Sequence, residues 1–173
     1  MADAGVATWE AKCHYNFWRP VTAIQRADED ENPRTENDPA WNSLLPCPPH
    51  PEYVSGHAAF SGAAATVLAA YLGSDQVEFT ATSDDVPGVT RRFTSLRRCA
   101  EEIARSRILG GIHYTFAGRN GIELGEKVAA LTLERFDKLA AGLGEQTAAR
   151  SAGDAGIKSP VKTSPNPRNK TLQ

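Results

Sequence analysis

Lys12 and Arg19 stand seven residues apart, and Pro20 follows the arginine directly. Seven residues of helix make close to two turns, so both cations can leave one helix face roughly 10 Å apart and grip one multiply charged anion. Alone, K-x6-R-P also describes a solvated helix face carrying two unrelated charges. A second cluster, Ser55-Gly56-His57, falls where a proline-rich stretch ends and an apolar-periodic segment begins. A helix N-terminus offers unpaired N–H groups and the positive end of its dipole, which suits an anion. There Gly56 allows close backbone approach, Ser55 is both N-cap and hydrogen-bond donor, and His57 in the first turn can exchange protons. The plain alternative is a capping serine beside a surface histidine. A third cluster holds Ser106-Arg107 and His113. On unbroken helix six residues rotate about 240°, which would send Arg107 and His113 to different sides. Gly110-Gly111 lies between them, and a break there can turn His113 back toward Arg107. A cation pair, and a helix start with a hydroxyl, a backbone N–H and an imidazole that can exchange protons, each suit the binding of an oxyanion.

The elements that must carry these residues read as mostly helical. Residues 3–18 form a helix that ends near Trp18, because Pro20 disfavours helical geometry at Arg19, and a short helix follows through Arg26. Residues 28–54 contain an acidic cluster and Pro33, Pro39, Pro46, Pro48, Pro49 and Pro51, which makes them a long loop. From Ala58 to Leu72 the residues Phe60, Ala64, Val67, Leu68, Tyr71 and Leu72 recur at helical spacing, with Gly73 placed to end the helix. Strand-like alternation is confined to Val77–Thr80 before a turn at Pro87-Gly88. Further helices are expected over 90–109 and 121–143, the latter burying Leu124, Val128, Leu131 and Leu139. The division is a helical catalytic domain over residues 1–145 and a polar, disordered tail over 146–173.

Composition narrows the partners. The 173 residues carry 19 basic against 21 acidic side chains, unbunched, so nucleic acid is not expected and any anion site must be local. Cys13, Cys47 and Cys99 are odd in number and widely spaced, which reads as buried thiols, and Cys47 with His50 lacks a second pair at zinc-like spacing. His14 reads as an ordinary helix-face residue. No apolar run is long enough to span a bilayer, and the N-terminus lacks a signal-peptide pattern, so the chain reads as soluble and not exported, with its localisation otherwise undetermined. A homo-oligomer is compatible with the sequence.

The ordered set K-x6-R-P, S-G-H and S-R-x5-H resembles the vanadium-dependent haloperoxidases of the phosphatidic acid phosphatase type 2 superfamily. The likeness extends to Asn16-Phe17-Trp18-Arg19-Pro20-Val21-Thr22-Ala23-Ile24, His50-Pro51-Glu52-Tyr53 and Gly110-Gly111-Ile112-His113-Tyr114, which read like the bacterial branch. The resemblance implies an all-α helical bundle of the acid phosphatase and haloperoxidase type. It implies that Lys12, Arg19 and Arg107 hold the equatorial oxygens of vanadate or phosphate, with Ser55 and the Gly56 N–H adding hydrogen bonds. It makes His113 the axial vanadium ligand, or the phosphatase nucleophile, and His57 the acid-base partner, with Lys12 also catalytic. The implied reaction oxidises halide with hydrogen peroxide to hypohalous acid, on vanadate. His50, at a position resembling the halide pocket, favours bromide or iodide. The alternative is an acid phosphatase, a phosphoric monoester hydrolase with no cofactor, acting on a small phosphoester through a phosphohistidine; inorganic phosphate would then compete. A third reading is a phosphate-binding helical module without turnover. Val54, Cys13 and Cys47 depart from the family pattern, and only eleven residues precede Lys12, so a C-terminal portion or a shortened form of the bundle is expected.

Overall fold

The computed structural model describes residues 1–155, with side chains through residue 142. Its order is α1 (Ala2–Tyr15), α2 (Pro20–Gln25), a 3-10 turn at Ala27–Glu29, α3 (Gly56–Leu72), β1 (Phe79–Ser83), β2 (Val86–Phe93), α4 (Leu96–Leu109) and α5 (Thr115–Ala155). Helices dominate, as expected. Met1–Glu134 form one compact unit that holds the site; the described part of a second unit, from Arg135, is the continuation of α5. The division drawn at residue 145 falls inside α5, so residues 146–155 of the expected tail are helical, and 156–173 lie outside the described residues. No described helix is long and apolar enough to cross a membrane.

α1 ends three residues before Trp18. Asn16 adopts the left-handed conformation (φ 41°, ψ 46°) and its N–H bonds the Lys12 carbonyl, a common helix stop. Arg19 is extended (φ −75°, ψ 154°) because Pro20 opens α2 behind it. Lys12 and Arg19 therefore sit on different elements, which corrects the expectation of one shared helix face. The loop over 30–55 is irregular, as its prolines require.

The helix expected over 90–109 starts later, at Leu96. Ser95 accepts the Arg98 N–H as a side-chain cap, and its hydroxyl donates to Asp75 Oδ2 at 2.5 Å. Residues 90–93 instead finish β2, whose β-branched and aromatic content suits an antiparallel hairpin; Phe79 and Phe93 stack across it at 5.3 Å.

α5 begins six residues ahead of the expected Gly121. Gly121 and Gly125 are packing positions. A Cβ on Gly125 would lie 2.1 Å from the Ala59 carbonyl oxygen, and one on Gly121 2.7 Å from that of Ser55, so α5 crosses α3 at backbone contact. Gly62 returns the contact against Ile122. The core is accordingly small: Ala4, Ala63 and Ala129 form one cluster with Phe60 and Val128 against it, and Ala58, Ala104 and Ile122 form another. Leu131 and Leu139, expected to be buried, are exposed, as are Leu68, Tyr71 and Leu72 on α3; Cys13, expected as a buried thiol, is exposed as well. A crossing this close admits only small side chains, so the large ones fall on the other face.

This packing generates a testable contrast. Gly125→Ala forces an overlap with backbone and should lower unfolding free energy by at least about 1–3 kcal/mol. Gly142→Ala meets nothing within 4 Å and should be neutral or stabilising by up to about 1 kcal/mol. Urea denaturation of both variants checks it; a Gly125→Ala protein as stable as wild type would refute the crossing.

Candidate active site

Lys12 and Arg19 are buried, at 2% and 6% exposure. A buried cation must be re-solvated by the protein, and backbone carbonyls of the proline-rich loop do this. Lys12 Nζ donates to the carbonyls of Pro51 (2.7 Å) and Glu52 (2.9 Å). Arg19 Nε donates to the His50 carbonyl (3.0 Å), and its Nη1 to that of Ile112 (2.7 Å) just past the glycine pair. Burial, and then repulsion from Arg19, push the Lys12 ammonium down to about 8, with the Glu52 charge opposing.

His113 follows the break at Gly110-Gly111, where Gly111 takes φ 75° and leaves no room for a side chain against Ser43 and Trp41. Past this break His113 lines the cavity beside Arg19 and Glu52, and not beside Arg107, toward which the glycines were expected to turn it. Its Nε2 lies 3.2 Å from Arg19 Nη1 and its Nδ1 2.6 Å from Glu52 Oε1. A guanidinium only donates, so Nε2 accepts and the ring proton sits on Nδ1, donated to the carboxylate. Burial lowers the His113 pKa; the Glu52 bond and charge oppose this, and Arg19 and Lys12 add to it. His50 Nδ1 stands 3.1 Å from Arg19 Nη2, and the His50 ring lies 5.0 Å from that of Trp9.

At the start of α3, Ser55 occupies the N-cap position, but its side chain caps nothing. Its Oγ is buried and without a hydrogen-bond partner, which corrects the expectation that Ser55 doubles as a cap. Its backbone N–H instead donates to the Ala117 carbonyl (3.1 Å), tying this terminus to α5. His57 is exposed, and its pKa is lowered by its partly buried surroundings and then by the Arg107 guanidinium.

One cavity of about 380 Å³ collects Lys12, Arg19, His50, Gly56, His57 and His113, with Trp9, Pro48 and Phe60 as apolar wall. Neither Ser55, which is buried, nor Arg107 is part of its lining, and Arg107 is near enough to His57 to act on its charge. Arg107 Nε donates to Ser106 Oγ at 3.1 Å. His14 faces away, edge-on to Tyr15. Sequence reasoning missed Glu52, fully buried against His113. The available signal was one carboxylate inside a His-Pro-Glu-Tyr segment otherwise made of proline and ring residues.

The family described as the VCPO second helical-bundle domain matches residues 1–142. The chain is similar to the vanadium chloroperoxidase of Curvularia inaequalis, 28% identical over 66% of this chain and 26% of that protein. It is likewise similar to the vanadium-dependent bromoperoxidase of Corallina officinalis, 37% identical over 62% of this chain and 20% of that one. Among solved structures it resembles a bacterial vanadium-dependent iodoperoxidase with a TM-score of 0.66 and 35% identity, over 77% of this chain and 30% of that one. The chain spans about a quarter of the length of the curated relatives it matches. With the family match running from the first residue of α1 through the described side chains, the chain belongs to the vanadium-dependent haloperoxidases, in their second helical-bundle domain.

Proposed function

We propose that this chain holds vanadate in the cavity of Lys12, Arg19 and His113 and oxidises halide with hydrogen peroxide to hypohalous acid. The observation that carries the reading is His113, with Nε2 against Arg19, lining one cavity together with two buried cations.

The donor set fits a tetraoxo anion. Lys12 Nζ has three protons and the two loop carbonyls take two of them, leaving one for an oxygen. Ser55 Oγ is buried with no partner, and an anion oxygen would satisfy it. Gly56 opens α3, where a backbone N–H and the helix dipole favour negative charge. Arg107 brings a third cation to the His57 side. When bound, vanadate supplies a Lewis-acidic centre that activates hydrogen peroxide for two-electron oxidation of halide. Around it, Lys12 and Arg19 compensate charge, His113 Nε2 is the one imidazole positioned as ligand, and His57, neutral near pH 7 by its lowered pKa, accepts and returns a proton at the cavity mouth. His50 and Trp9 line the same cavity. A histidine at this place in the cavity supports bromide or iodide as the halide.

A second reading, phosphomonoester hydrolysis through a phosphohistidine, is favoured by the same Nδ1–H to carboxylate bond, which suits an attacking nitrogen. Adding orthovanadate to the purified chain and assaying dye bromination with peroxide and bromide separates the two. Bromination without hydrolysis of a phosphomonoester supports the haloperoxidase; the reverse overturns it; phosphate binding with neither leaves a binding module.

Three variants assign roles. His113→Ala should abolish vanadate retention, and His57→Ala should keep the anion while slowing turnover roughly 10²- to 10⁴-fold. Arg107→Ala should weaken phosphate or vanadate binding by more than about 2 kcal/mol. Calorimetric titration beside the activity assay reads all three; a His57→Ala protein that alone loses the anion would reverse the histidine roles.

A pH dependence follows from Lys12. It is charged below about 8 and neutral above, so its attraction for an anion is present below that pH and lost above it. The His50, His57 and His113 pKa values lie below the ordinary imidazole value, so those cavity rings titrate on the acid side and do not contribute to this loss. Phosphate affinity should fall as pH rises from 7 to 9.5, and Lys12→Met should be weaker at pH 7 with that fall removed. An identical pH profile in the variant would mean that another group is responsible.

A further inference from the structure

We propose that Glu52 is the positioning residue of this site, holding His113 in the tautomer that leaves Nε2 unprotonated toward the cavity and linking that ring to Lys12. The proposal rests on the reading that Nε2 meets the oxyanion.

Both side chains are out of water, Glu52 at 0% and His113 at 5% exposure, and the Nδ1 to Oε1 distance is 2.6 Å. Charge-assisted bonds of this length are the strong ones. The same Oε1 accepts the Tyr114 N–H at 3.0 Å, so the acceptor is fixed against the backbone of the residue that follows the ring. On the other side Arg19 Nη1, which only donates, faces Nε2. One protonation pattern satisfies both contacts: proton on Nδ1, lone pair on Nε2. The opposite tautomer would set a lone pair against Oε1 and an N–H against a guanidinium.

The glutamate also reaches Lys12, through its main chain. Lys12 Nζ donates to the Glu52 carbonyl at 2.9 Å, and the Glu52 N–H donates to the Phe17 carbonyl at 3.0 Å. One residue thus spaces the imidazole from the ammonium. Its Oε2 is buried without a partner. A buried carboxylate is costly to retain unless it is compensated, and here the His113 bond and the charges of Lys12 and Arg19 compensate it. Hydrogen-bond partners behind a ligating histidine generally set its tautomer and raise its basicity.

Proton NMR of the full chain tests this apart from turnover. Wild type should show one slowly exchanging, strongly downfield imidazole N–H that disappears in His113→Gln, which assigns it. Glu52→Ala should lose the signal and bind orthovanadate about 10- to 100-fold more weakly. Glu52→Gln keeps an acceptor without the charge, so the signal should persist, moved upfield, with affinity between the other two. Circular dichroism checks folding, and if Glu52→Ala does not fold, the near-isosteric Glu52→Gln decides. The idea is overturned by the absence of a His113 signal in wild type, by its persistence unmoved in both variants, or by unchanged vanadate affinity in folded variants. Failure of wild type to bind vanadate would sink the proposed function, while the NMR arm would still decide the role of Glu52.

Discussion

Two positive charges are buried beside each other, and the arrangement of the rest of the unit follows from how they are tolerated. An uncompensated buried ion costs several kcal/mol, and Lys12 and Arg19 also repel. The chain answers with carbonyl oxygens from residues 50–52 and from Ile112. A loop dense in proline suits this task, because its carbonyls are not engaged in ladder or helix bonds and its fixed backbone loses little freedom on ordering. The cations therefore order the loop as much as the loop solvates the cations. Through them α1, the residue ahead of α2, the loop and the turn after α4 become one assembly.

The helices set the distances at which this works. Glycine at 62, 121 and 125 lets α3 and α5 meet at backbone contact, which draws the start of α3 onto the start of α5. The Ser55 N–H to Ala117 carbonyl bond is the local expression of that approach. Since His113 lies two residues ahead of α5 and Gly56 is the first residue of α3, the crossing also sets the span between the imidazole and the helix terminus. Small core residues are thus a geometric requirement of the site and more than a feature of packing.

Most of the site was legible from residue type, because a cluster of cations, a Ser-Gly-His helix start and a histidine behind a glycine pair each have a chemical reason to occur. What periodicity could not supply was context. Lys12 and Arg19 have helical spacing, yet Asn16 breaks the helix between them and tertiary carbonyls bring them together. Large apolar residues at helical spacing on α5 read as core, but the glycine-mediated crossing buries small residues, leaving Leu131 and Leu139 exposed while Ala58 and Ala63 are buried and Val128 keeps its place against the core. Thr90–Phe93 fitted a helix window and went to a strand, decided by pairing with Phe79–Thr82. Glu52 was missed because its partner lies 61 residues away and no local rule couples them.

The shifts at the site point one way. Lys12, His50, His57 and His113 are all moved toward their neutral forms, with burial the first cause in each and a neighbouring cation adding to it every time. Such a cavity is more positive than its own groups favour, and Glu52 is the one carboxylate among these shifts that opposes the trend, at Lys12 and His113. An oxyanion among these groups would reverse the cationic contribution at each of them and give Ser55 Oγ a partner, so its binding energy draws on relief of repulsion as well as on new hydrogen bonds. Stability and ligand concentration are then linked, since a ligand held only by the folded state stabilises it by RT ln(1 + [L]/Kd). The same electrostatics set a limit on acidic substitutions here: a second carboxylate would satisfy the cations permanently and compete with the anion for them. One glutamate, engaged with a histidine through one oxygen, compensates part of the charge and leaves the remainder for an incoming oxyanion.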